Sequence, residues 1–92
     1  MTEEKNLLET LINEEVVIDA RSEYVFIGRM MAYDEHYLVL KQADVHDMRD
    51  SSTTREMYVL EAKRHGYPWN RERVFIRREE AISISKLDDV RE

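Results

Sequence analysis

The sequence predicts a mainly β domain: an N-terminal helix, then a strongly bent antiparallel barrel of five strands, with a helical insertion between strands three and four. Three observations predict it. Short runs in which apolar residues recur at period two make up most of the chain after residue 15. Leucine and isoleucine pairs before them fall at helical spacing. A glycine, Gly28, interrupts the longest run, and a small barrel must coil a long strand around its core at such a point. The 92 residues are enough for one domain spanning 1–92. A chain of this size should bury roughly two-thirds of its unfolded surface, so it folds with little stability to spare.

Residues 2–13 read as a short amphipathic helix, with Leu7/Leu11 and Leu8/Ile12 as i,i+4 pairs. Thr2 can cap it, and Glu3 and Glu4 in the first turn suit the helix dipole. Such a helix is too short to persist alone and must dock on the sheet. Val16–Ala20 is a strand followed by a turn at Arg21–Glu23. Tyr24–Tyr33 is the long second strand, Asp34–Glu35 a tight turn, and His36 to about Met48 the third strand, most apolar at Tyr37–Leu40. Residues 49–72 form an insertion. Within it, Thr53 and Glu56 fit a capping box, Met57, Leu60, Glu61 and Arg64 follow at helical spacing, and Gly66 stands where a left-handed C-terminal residue belongs. A helix over 53–65 is the expectation; the competing reading is a strand through Met57–Leu60, because Tyr and Val favour sheet. Gly66–Asn70 is a turn. Arg73–Arg77 and Ala81–Ser85 are the last two strands, joined by the short step Arg78–Glu80. The charged tail after Lys86 is expected to fray.

Composition narrows the function. With 14 basic and 20 acidic side chains the formal charge is −6, which argues against binding nucleic acid through bulk charge. The distribution is uneven. Residues 1–20 hold six acids against Lys5, whereas residues 63–78 hold six bases against Glu72. The basic stretch is either a solvated face or a localised anion-binding patch. There is no cysteine, so disulfides, thiolate metal sites and cysteine nucleophiles are excluded. His36, His46 and His65 lack the i,i+4 or i,i+2 spacing of a metal site, and Ser51-Ser52-Thr53 has no nucleophile-elbow context. No cofactor and no enzymatic activity are expected. The acidic start lacks the basic and apolar regions of a signal peptide, and no apolar run approaches the ~20 residues of a membrane span, so a cytoplasmic domain with no membrane partner is expected. The methionines Met30, Met31, Met48 and Met57 read as gap-filling core and interface, and Trp69 as a lid on the barrel or an interface anchor.

The order of these segments resembles the Sm-like (LSm) family. A first family segment matches residues 16–48: the run Val16–Ala20, then Gly28-Arg-Met-Met-Ala-Tyr-Asp34, then His36 and Leu38-Val-Leu40. A second matches residues 73–87 through Phe75-Ile-Arg-Arg-Glu-Glu-Ala-Ile-Ser-Ile84, with a short tail at 88–92. The sequence departs from the family pattern at several points. Tyr37 stands where an asparagine usually reads a base, Arg78 replaces a glycine, and Glu23 replaces a first-turn glycine. The Tyr-Lys-His signature of the bacterial RNA-chaperone branch is missing.

The resemblance implies single-stranded, often uridine-rich RNA as a partner, held at the pore of a ring, and no DNA. It makes His36 or Tyr37 the stacking platform and Arg77 the opposing arginine, adds Arg78 to the same site, and has Asp34 orient Arg77 by an ion pair. Without the asparagine, weaker binding or looser base preference is expected. The bland alternatives are a core Tyr37, a purely structural Asp34–Arg77 pair and a solvated Arg78. Self-association follows from the strands themselves. An open five-stranded barrel leaves bare edges, and strands four and five are apolar at Val74, Phe75, Ile76, Ile82 and Ile84. Pairing strand four of one copy with strand five of the next is head-to-tail and can close a ring; in the family such rings are hexamers or heptamers.

Overall fold

The computed structural model describes residues 6–92. Five strands, β1 (Glu15–Ala20), β2 (Tyr24–Tyr33), β3 (Tyr37–Asp47), β4 (Arg71–Arg77) and β5 (Ala81–Lys86), and one α-helix, α1 (Arg55–His65), carry the structure. The sheet is antiparallel throughout in the order β4-β3-β2-β1-β5, so β4 and β5 are its two margins.

Both faces of the sheet are covered. On the inner face Val16, Ile18, Met30, Leu38, Leu40, Ala43 and Ile76 form one core, capped by Leu8, Leu11 and Ile12 of the N-terminal segment. On the outer face Val17, Val25 and Ile27 pack against Val59 and Ala62 of α1 and against Leu87. Burial from both sides explains why Val16-Val17-Ile18 reads as an unbroken apolar run. At Gly28 the strands approach closely: a Cβ there would lie 2.9 Å from the Ala43 Cβ. The β2–β3 register shifts at this point, between Ile27 and Arg29, and the extra β3 residue, Gln42, takes a φ of +47°. This is a β-bulge, and it turns Gln42 out to solvent.

Several expectations need correction. The N-terminal helix is a 3₁₀ helix over Leu7–Leu11, capped by Asn6, whose side chain accepts from the Leu8 N–H at 3.0 Å. Leu7 is exposed while Leu8, Leu11 and Ile12 face the core. Thr2, Glu3 and Glu4 lie outside the described residues. The strand reading of Met57–Leu60 fails, since the segment is helical, but its cap is Thr54, not Thr53: Met57 N–H donates to Thr54 Oγ1 at 3.1 Å. The buried residues of α1 are Val59 and Ala62, and Met57 is exposed. Gly66 ends the helix as expected, at φ +84°, with its N–H donating to Ala62 O. The tail does not fray. Leu87 is buried, Lys63 Nζ donates to the carbonyls of Asp88 and Val90, and Arg64 pairs with Glu92 at 2.6 Å. Among the described residues, no helix is long and apolar enough to cross a membrane.

Candidate functional site

The β2–β3 loop is built by Asp34. Its Oδ1 accepts from the backbone N–H of His36 (2.8 Å) and Tyr37 (2.7 Å), a side-chain-mediated turn that holds the carboxyl below its ordinary range, His36 contributing most. The step from β4 to β5 is clamped onto this loop. Arg78 donates its backbone N–H to His36 O at 2.8 Å and its guanidinium to Asp34 O at 2.7 Å. Strand register does the rest, because Tyr37 and Arg77 are direct partners across β3 and β4. The outcome is a cleft of about 460 Å³ lined by Glu35, His36, Tyr37, Arg77, Arg78 and Glu79.

Four of the five residues named from the sequence therefore line one cleft, and Asp34 shapes the loop beside it. The expected Asp34–Arg77 ion pair is not formed. Arg77 pairs with Glu79 at 3.2 Å, because the Asp34 carboxylate is engaged by backbone donors of its own loop and Arg77 projects from the exposed face of β4. Arg78 is exposed on the β4–β5 turn, as the solvated reading has it, and it also bonds across to the β2–β3 loop. Tyr37 is half-buried with its ring edge-on to Phe75, centroids 6.3 Å apart. Two carboxylates, Glu35 and Glu79, enter the cleft and were missed; their places beside His36 and two after Arg77 were the available signal.

No protein-family model and no curated protein matches the chain. Solved structures do. A Pyrococcus abyssii Sm protein in complex with a uridine heptamer superposes with a TM-score of 0.60 at 21% identity, covering 90% of this chain and 99% of that one. A heptameric archaeal Sm protein gives 0.58 at 20% identity, covering 87% and 94%. The chain has the Sm fold.

Within the Sm fold the margin residues named from the sequence divide by strand face. Phe75 and Ile82 stand out at 61% and 69% exposed. Ile76 does not belong with them: alternation along β4 turns it inward, and it is 4% exposed in the core. Val74 and Ile84 are partly buried against the same core. Leu7, 76% exposed, is an addition that its helical pairing had concealed. Leucines and isoleucines, among them Leu7, Leu11, Ile82 and Ile84, line a groove of about 380 Å³ beside β5, to which Arg78 and Ser83 add polar surface.

No spacing or motif shows how α1 is fastened. Tyr58 donates its hydroxyl to the buried carboxylate of Asp44 at 2.5 Å, and its ring stacks on His46 with centroids 4.2 Å apart. Burial first, and then the Asp44 bond, raises the Tyr58 hydroxyl well above the ordinary tyrosine pKa.

Proposed function

We propose that this chain assembles into a ring of identical copies and binds single-stranded RNA at the cleft between its β2–β3 and β4–β5 loops. The observation that carries the reading is the convergence of an exposed His36, the half-buried Tyr37 and two arginines, Arg77 and Arg78, at one end of the sheet. A base stacks on His36 or Tyr37 with the Arg77 guanidinium against it, an arrangement worth roughly 1–3 kcal/mol per base and tolerant of base identity. With Tyr37 in place of an amide reader, preference comes from stacking strength and is loose. The P. abyssii Sm protein takes a uridine heptamer and its archaeal counterpart is a heptamer, which supports carrying both properties to this chain. Assembly follows from the margins. A sister's β4, laid antiparallel along β5, covers Ile82 and the groove beside it.

A second reading has its own observation. Glu35 and Glu79 bring negative charge into the cleft, Glu79 already occupies Arg77, and each copy carries −6. On that reading the ring is an assembly scaffold whose RNA pocket has decayed. Titration with oligouridine and oligoadenosine at two salt concentrations separates the two. The RNA reading predicts binding at low salt, with Arg77→Ala weakening it and flattening its salt dependence. No binding at low salt leaves the scaffold.

A further inference from the structure

Three cations stand side by side across the outer face of the sheet. Arg29 on β2 is the direct partner of Lys41 on β3, and Lys41 is the direct partner of Arg73 on β4. Directly opposed residues share a face, and the neighbours of these three, Met30, Leu40 and Val74, face the inner core, so all three cations point outward. Strands lie about 4.8 Å apart, so the row spans roughly 10 Å. Arg29 is engaged, donating to Asn13 O at 2.5 Å and lying 4.0 Å from Glu15. Among the described residues Lys41 and Arg73 have no ion-pair partner. Like charges opposed across strands are destabilising. A chain with 20 acids has placed none of them beside Lys41 or Arg73 in this row, and only Glu15, on β1, closes it.

The row runs into a second feature. Arg29 and the bulged Gln42 line a cleft of about 240 Å³ together with Glu15, Gly66, Tyr67 and Trp69, the Glu15 carboxylate being taken up by the Tyr67 hydroxyl and by Arg29. Trp69 is 46% exposed although the loop that carries it is held down: Asn70 N–H donates to Ala43 O, and the Asn70 side chain bonds both backbone groups of Val45. The Tyr67 hydroxyl is tied to Glu15 at 2.8 Å. A half-exposed indole is thus carried by a pinned loop, next to an amide, a neutralised carboxylate and the Arg29 end of the cation row.

We propose that this outer face is a second binding surface for single-stranded RNA, with Lys41 and Arg73 on successive phosphates and a base stacked on Trp69. The aromatic platform requires an unpaired base, which favours a single strand over a duplex or an acidic peptide. The choice of RNA as the nucleic acid rests on the function proposed above; the surface itself lies on different residues from the loop cleft.

Trp69 is the chain's single tryptophan, so its emission reads the surface directly. Full-length protein is titrated with oligouridine while this emission is followed, for the wild type, Lys41→Ala/Arg73→Ala, Trp69→Ala and Arg77→Ala, each first matched to wild type by circular dichroism. The proposal predicts saturable quenching of Trp69. It also predicts that the double variant loses about 1.4 from the slope of log affinity against log salt, 0.7 for each of two phosphate contacts. Affinity of Trp69→Ala, followed by anisotropy of labelled RNA, should fall roughly 5- to 150-fold, the range spanned by one lost base–aromatic stack. Unchanged emission at saturating RNA, or an unchanged salt slope in the double variant, overturns the proposal. The two sites fail separately. Quenching that persists while Arg77→Ala binds like wild type removes the loop cleft and keeps this surface; binding that needs Arg77 with a silent Trp69 does the reverse.

Discussion

A buried carboxylate with one phenolic partner is a demanding arrangement, and Asp44 with Tyr58 supplies it beneath α1. Replacing Tyr58 by Phe leaves Asp44 buried and without that donor, which should cost about 1–3 kcal/mol in denaturant unfolding. The pH dependence has a definite sign. The hydroxyl pKa is raised in the folded state by burial and by Asp44, so its contribution is complete below the unfolded tyrosine value of about 10 and is lost as pH rises above it. Wild-type stability should decline in alkali from about pH 10, and Tyr58→Phe should flatten that decline; parallel curves would remove Tyr58 as a cause. At this scale the sequence was informative about which residues meet and silent about how they pair. His36, Tyr37, Arg77 and Arg78 could be placed at one end of the sheet because they flank two short connections. That Asp34 would serve backbone donors, and Arg77 turn to Glu79, depends on loop geometry that no spacing encodes.

The elements were legible where a local chemical rule acts alone. Period two located all five strands to within two residues at either end, and Gly66 ended α1 through a left-handed backbone. The start of α1 was ambiguous by one residue because two threonines adjoin, and the structure chooses Thr54. Thr54→Ala should therefore lower stability by about 1 kcal/mol, with Thr53→Ala near neutral, in paired thermal melts; the opposite order would restore Thr53 as the cap. The buried side of α1, Val59 and Ala62, is chosen by docking on Val25 and Ile27 and by the Tyr58–Asp44 bond, which the helix's own residue spacing does not encode. The tail was misread for the same reason: Lys63 and Arg64 of α1 hold it down from far away in sequence. Gly28 shows the converse, a tertiary contact readable from one residue. Gly28→Ala would place a methyl 2.9 Å from the Ala43 Cβ and 3.0 Å from its Cα, inside a bulge with little room to give. A loss of about 1–3 kcal/mol is expected from such overpacking, and a wild-type melting curve would show that β2 and β3 can separate there without penalty.

At the scale of the whole molecule two margins decide the outcome. β4 and β5 end the sheet and carry Phe75 and Ile82 largely exposed, with a partly apolar groove alongside β5. A single small domain has little stability with which to leave such margins in water. The proposed head-to-tail pairing would cover both at once and would present every copy's loop cleft at equivalent places. Charge sets the condition for the proposed RNA binding: a ring of six copies would carry six times −6, so RNA would have to be held by local cation clusters rather than by the net field. The fold was readable as a whole because segment order and strand pattern agree; the copy number of the proposed ring would depend on the angle between neighbours, which no residue pattern encodes.

Mass in solution, measured by light scattering on the full chain across a dilution series, tests the central claim most directly. The account predicts a closed assembly at six or seven times the 11.1 kDa protomer, unchanged on dilution. A clean species at 11.1 kDa would contradict it, because the margins of the sheet would then face only water.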